Sequence, residues 1–346
     1  MTTATADGRQ LGERLRAGDR GAAAAVLNLV ESRTAAARAA TEALLAAVSP
    51  AALGGEAPGQ IVGVTGPPGV GKSSLLSRMV AAWRSGGRTV AVLAVDPSSR
   101  RSGGALLGDR ARIERDPADD GVFIRSTAAG GRLGGLAPAT RAAAAALGCA
   151  FDIVVIETVG VGQSETEVAD VADAVAVVVQ PGSGDVLQFL KSGIMEIPDV
   201  LVVTKADLGR VADRALGDLR AALRALGVSD TAVVAVSSVA PPTGIDELIA
   251  ALDAHHAGLD VSARRVRSRR MHALADYAAE YGDRGLRALG GRRAAERWLA
   301  GQDPERDVAA LLHGLEERAG EAQAGEQQAG EVQAGERRAG EERSSP

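Results

Sequence analysis

The run GPPGVGKS, residues 66–73, sets three glycines, a lysine and a hydroxyl at the spacing G-x-x-x-x-G-K-[ST]. A short apolar run, IVGVTG, precedes it and the helical SLLSRMVAAW follows. Glycine-rich backbone at a strand-to-helix junction lets successive N–H groups curl around phosphate oxygens, and the helix start adds positive potential. Gly66, Pro67, Pro68, Gly69, Val70 and Gly71 would form the cradle. Lys72 would bring a mobile charge to the phosphates and Ser73 a ligand for Mg²⁺, with Ser74 next to them. The plain alternative, a Gly-Pro turn, gives no reason for the strand before it and the helix after it. Phosphate binding alone selects neither ATP nor GTP.

Base identity is read farther along. VLVVTKAD ends an apolar run with Thr204, Lys205 and Asp207, close to the N-K-x-D of GTPases, in which the carboxylate accepts from guanine N1 and N2. Adenine has no such paired donors, so a carboxylate here prefers guanine. Thr204 stands where Asn usually braces the loop, which predicts weaker or less strict guanine binding. Ser237, Ser238 and Val239 follow the next apolar run, where an S-A pair is usual. A helix cap for Asp207 and an ordinary surface charge for Lys205 are the alternatives.

Three acids are candidates for the metal. Asp96 closes the second strand-like run, Asp109 follows a glycine-rich loop, and Glu157 is the first polar residue of FDIVVIETVGVGQSE. Mg²⁺ takes oxygen ligands, often through retained water, so a Glu can serve from farther back than the Asp common in nucleotide hydrolases. Lys72, Asp109 and Glu157 are the catalytic candidates. Any of the acids could instead cap a helix. Gly160 and Gly162 supply hinges for a loop able to sense a γ-phosphate, and Val161 stands where Ras-like enzymes carry the water-orienting Gln, which predicts slow hydrolysis in isolation. Gln163 is a candidate to compensate. Asp185, Gln188 and Lys191 lie on a later stretch, residues 180–199, otherwise an ordinary loop and amphipathic helix.

These groups need a scaffold. Apolar runs recur at IVGVTG, TVAVLAVD, GVFIRS, FDIVVIET, AVAVVVQPG, VLVVTKAD and TAVVAVSS, with helix-length stretches between them. The alternation predicts an α/β fold, a mostly parallel sheet covered by helices. Residues 1–53 read as an N-terminal helical element, 54–258 as the nucleotide domain, and 259–315 as a helical arm that is basic at its start. Residues 316–346, an ExxAG repeat, read as a disordered tail. The arginines after residue 260 fit a solvated helix face better than a nucleic-acid patch, since aromatics are only 2% of the chain. A net charge of −5 gives no global basic surface, and Cys149, the only cysteine, fits a reducing cytoplasm. No apolar run reaches the roughly 18 residues of a membrane span, and MTTATADGRQ lacks a signal-peptide core. A cytoplasmic protein with neither membrane nor nucleic-acid partner is expected.

Taken together, GPPGVGKSS, VDPSSRRSGGALLGDRARI, FIRSTAAGGRLGGL, ETVGVGQSE, QPGSGDVLQFLKSGIMEIPD and TKAD resemble the MeaB/ArgK family of P-loop GTPases over roughly residues 10–290. The resemblance implies a GTP-hydrolysing chaperone of adenosylcobalamin-dependent acyl-CoA mutases, chiefly methylmalonyl-CoA mutase, that gates cofactor loading and protects the mutase. It implies GTP/GDP and Mg²⁺ as cofactors and Ser73, Asp96, Asp109 and Glu157 around the metal, with Glu157 the family's own form. It further implies Asp207 as guanine reader, residues 180–199 as a mutase-sensing switch, and a homodimer through the C-terminal arm. Competing readings are a nickel metallochaperone GTPase, a kinase acting on a periplasmic transport protein, and a nucleotide-binding scaffold. One cysteine and four scattered histidines make no convincing nickel cluster.

Overall fold

The computed structural model describes residues 3–96, 113, 114, 116, 118–128, 136–158, 167–182, 198–228, 230–322 and 324. The chain divides into two compact units, Met1–Val48 with Ala52–Arg264, and Ser49–Ala51 with Arg265–Pro346.

All seven apolar runs become strands: β1 Gln60–Thr65, β2 Val90–Asp96, β3 Val122–Ala128, β4 Ile153–Thr158, β5 Ala174–Val179, β6 Val200–Val203 and β7 Ala232–Ala235. They pair in parallel in the order β3-β2-β4-β1-β5-β6-β7. Successive side chains enter opposite layers: Val62, Val155, Ala176 and Val202 join one apolar cluster, Ile61, Val154, Val177 and Leu201 the other. Burial on both faces is why β1, β4, β5 and β6 read as largely apolar runs rather than as an alternation.

The helices that follow are α1 Thr3–Arg16, α2 Ala23–Glu31, α3 Ala35–Ala47, the short α4 Pro50–Leu53, α5 Lys72–Ser85, α6 Pro138–Leu147, α7 Arg210–Ala225 and α8 Ile245–Gly258. Leu15, Val26, Leu27 and Leu44 of the first three share a cluster with α6, α7 and the sheet. These helices therefore belong to the sheet's own unit, not to a separate element ending at residue 53. On the other face lie α5 and α8, with Leu76, Met79, Trp83, Leu248 and Leu252 buried.

The far end of α5, the helix that carries the phosphate motif, is tied down. Arg84 makes two hydrogen bonds of 2.8 Å to Asp119, which hold the Asp119 carboxyl below the usual carboxylate range. Arg88, just beyond, binds both oxygens of Asp253. Trp83 is 1% exposed beneath that end. Trp83→Ala is expected to cost about 3–5 kcal/mol of stability, read from urea unfolding followed by circular dichroism.

The second unit takes the helical stretch Val261–Ala288 from Arg265 onward, broken at Gly282 where φ is 60°, the helix Arg292–Ala300, and a helix over residues 308–322. Leu274, Tyr277, Leu299, Leu311, Leu315 and Ala319 form its core. The last helix runs past residue 316, so the first ExxAG unit is helical where disorder was expected. Leu311, Leu315 and Ala319 recur every fourth residue and bury one face, which offsets the helix cost of Gly320, about 1 kcal/mol. The basic stretch is not simply a solvated face: Arg269 and Arg270 donate to the Pro304 and Gln302 carbonyls at 2.8 Å. In the first unit Arg264 donates to the Ala172 carbonyl at 2.8 Å. No described helix is long and apolar enough to cross a membrane.

Candidate active site

The site is assembled at the carboxyl ends of β1, β4, β5, β6 and β7. β1 stops at Thr65 and the chain turns at Gly66, where φ is 146°. A Cβ there would lie 2.1 Å from the Val178 carbonyl oxygen, so only glycine lets the loop leave β1 this close to β5. Gly71, at φ 99°, opens α5 directly at Lys72. Lys72 is 8% exposed, and its Nζ donates to the Gly66 and Pro67 carbonyls at 2.6 and 3.1 Å. A cation is thereby held over a loop followed by a helix N-terminus, an arrangement suited to phosphate oxygens.

Glu157, 3% exposed, stands near the end of β4, in register with Val64 of β1 and Ala94 of β2. Ser73 Oγ donates to its Oε1 at 3.4 Å, so the hydroxyl and the carboxylate expected at the metal do meet. Asp96 ends β2, the strand hydrogen-bonded to β4. An all-oxygen donor pair beside the phosphate loop fits a hard cation such as Mg²⁺. Among the described residues no three His, Cys, Asp or Glu side chains gather as a metal cluster. Asp109, Gly160, Gln163, Asp185, Gln188 and Lys191 lie outside the described residues.

In the loop after β6, Thr204 is 3% exposed, and its hydroxyl donates to the Val70 carbonyl at 2.7 Å, with the Val179 carbonyl at 3.1 Å. It ties the loop after β6 to the loop that precedes α5. Lys205 adopts a left-handed φ of 56° and its ammonium donates to Gln180 Oε1. The Ala206 N–H donates to the Val236 carbonyl at 3.0 Å, joining this loop to the one after β7. There Ser237 Oγ donates to Asp207 Oδ1 at 2.7 Å and accepts from the Val239 N–H at 3.2 Å.

Between these loops lies a cavity of about 420 Å³. Its lining unites Val70, Gly71 and Ser74 with Thr204, Lys205, Asp207, Ser238 and Val239, residues separated by more than a hundred positions in the chain. The volume is within the range of small-molecule sites. Ser77, Arg78 and Glu114 also line it and were missed from the sequence. Ser77 Oγ donates to the Ser73 carbonyl and accepts from the Glu114 N–H, both at 3.0 Å. Arg78 Nε donates to the Ser238 carbonyl at 3.1 Å. The one available signal was spacing: Arg78 follows Ser74 by one helical turn and shares its face.

The chain is similar to known proteins. The profile of the family described as methylmalonyl Co-A mutase-associated GTPase MeaB matches residues 23–282. A relative from Pyrococcus abyssi, named as a GTPase, is 43% identical over 271 residues, 75% of this chain and 80% of its own. A mitochondrial protein of Caenorhabditis elegans, named methylmalonic aciduria type A homolog, is 40% identical over 221 residues, 62% of this chain and 53% of its own. A crystal structure of a LAO/AO transport system kinase superposes with a TM-score of 0.60 at 29% identity, covering 87% of this chain and 98% of that one. With three quarters of its length matched and its phosphate loop built as described, the chain belongs to the methylmalonyl Co-A mutase-associated GTPase family, MeaB, and is a GTPase.

Proposed function

We propose that this GTPase is a nucleotide-driven chaperone of an adenosylcobalamin-dependent acyl-CoA mutase, methylmalonyl-CoA mutase first among them, gating cofactor loading and protecting the enzyme. The observation that carries the nucleotide half is the convergence on one cavity of the phosphate loop and of Asp207, whose carboxylate is oriented by Ser237. The client half is supported by the family's description and by the nematode relative's name.

In this reading the loop amides and Lys72 bind the phosphates, Thr204 keeps the phosphate and base loops in register, and Asp207 takes the guanine donors. Ser73 and Glu157, with Asp96 and Asp109, would hold Mg²⁺, which when bound neutralises charge on the phosphate oxygens. Gly160 and Gln163 belong to the loop that responds to the γ-phosphate, and Asp185, Gln188 and Lys191 to the segment that meets the mutase. Residues 259–315 serve as the arm of a homodimer. If the mutase prefers one nucleotide state, it must shift nucleotide affinity by the same factor, while faster hydrolysis is a separate kinetic effect.

GTP turnover and GDP affinity, measured with and without purified adenosylcobalamin mutases, test the reading. Stimulation of turnover together with a matched shift in GDP affinity is the expected result with one mutase. Indifference of both quantities to methylmalonyl- and isobutyryl-CoA mutases sinks the client assignment. Phosphate transferred from nucleotide to a protein acceptor would favour instead the kinase activity that the structural neighbour's name carries.

A further inference from the structure

A line of hydrogen bonds crosses the base side of the cavity, every donor pointing the same way. Arg78 Nε donates to the Ser238 carbonyl at 3.1 Å. The N–H of that same peptide unit, on Val239, donates to Ser237 Oγ at 3.2 Å, and the Ser237 hydroxyl donates to Asp207 Oδ1 at 2.7 Å. A guanidinium stands at one end and a carboxylate at the other. Bonds in such a head-to-tail chain polarise one another, and the cationic donor strengthens the first of them. Arg78 also rides on α5, whose first two residues are Lys72 and Ser73. The helix at the phosphates is thus coupled to the carboxylate at the base through three hydrogen bonds.

We infer that Arg78 is a positioning residue for base selection: it fixes the 238–239 peptide and, through Ser237, the orientation of the Asp207 carboxylate. The inference rests on the reading of Asp207 as the group that takes guanine. Its physical content is narrow. With one carboxylate oxygen accepting from Ser237, the carboxylate has a fixed rotation about its χ angles and presents its remaining acceptor capacity to the ligand in one direction. Without Arg78 the peptide is free to tilt, Ser237 loses its fixed acceptor geometry, and the carboxylate samples rotations in which the two guanine donors are no longer met together.

The experiment compares GDP and IDP binding by calorimetric titration in wild type, Arg78→Met, Ser237→Ala, the double variant and Asp207→Asn. IDP lacks the 2-amino group, so the GDP-to-IDP affinity ratio reads the second hydrogen bond to the carboxylate and cancels the phosphate contribution. Arg78→Met keeps the apolar stem and removes the donor. It and Ser237→Ala should each lower the ratio by about tenfold, the scale of one hydrogen bond to a charged acceptor. The double variant should fall little further than either single, because both changes break the same line. Equal losses for GDP and IDP, an unchanged ratio, or fully additive effects overturn the inference. If Arg78→Met does not fold, Arg78→Ala is judged by the same ratio; failure of both to fold makes Arg78 a structural tie and likewise overturns it. Asp207→Asn separates the two levels of the argument. If it leaves the ratio intact, the guanine reading itself fails; if it collapses the ratio while the Arg78 variants do not, only the relay fails.

Discussion

Lys72→Ala is expected to lower GTP turnover by about 10²- to 10³-fold, the loss typical of removing one preorganised group from developing negative charge. The Nζ of Lys72 is held at 2.6 Å from the Gly66 carbonyl and 3.1 Å from that of Pro67, over the glycine-rich loop. The side chain is 8% exposed, so its charge acts with little screening by water. The fold should survive, since alanine is the best helix former and Lys72 is the first residue of α5. Turnover under saturating GTP and GDP affinity by titration separate the two effects of the change. The amides and the helix start remain, so binding should fall less than turnover. Turnover within about threefold of wild type would mean that the phosphates are handled elsewhere.

Much of this site was legible in the chain because its signals are local. The spacing of residues 66–73 and the seven apolar runs each rest on a few consecutive residues, and the structure joins them in one sheet. Strand order was not legible. Nothing in the residues says that β4 lies between β1 and β2, which is what brings Glu157 to Ser73. Thr204 was read by its difference from Asn, and the reach of its hydroxyl to the Val70 carbonyl is a distance invisible in sequence. Arg78 was overlooked for a related reason: one arginine on an amphipathic helix looks like a solvated charge until the loop after β7 is folded against it. The N-terminal helices were set apart because their amphipathic pattern shows that one face is buried, but not against what. Leu15, Val26, Leu27 and Leu44 pack in the sheet's own cluster. The ExxAG stretch misled in the other direction, since glycines argue against helix only where no apolar face compensates, and Leu315 and Ala319 supply one.

Asp207→Asn is expected to exchange the base preference rather than merely weaken binding. In the wild-type site Oδ1 accepts from Ser237, which leaves the carboxylate's other acceptor positions for the ligand. Guanine offers N1–H and the 2-amino group side by side, and hydrogen bonds to a charged acceptor contribute about 1.5–3 kcal/mol each. An amide that keeps its oxygen on Ser237 must turn its NH₂ toward the base. That donor then faces the 2-amino group of guanine, and GDP affinity should fall by about 10²- to 10³-fold. Xanthine carries a carbonyl oxygen at position 2, which accepts from the new amide, so XDP affinity should rise while GDP affinity falls. ADP should change little, because adenine has neither donor to lose. Calorimetric titration with GDP, XDP and ADP reads all three. A parallel loss for every nucleotide would indicate a displaced loop, and an unchanged GDP affinity would place base recognition away from Asp207. The opposite signs expected for GDP and XDP are the decisive observation, because damage to the loop lowers both and only a carboxylate in direct register with the base edge reverses one.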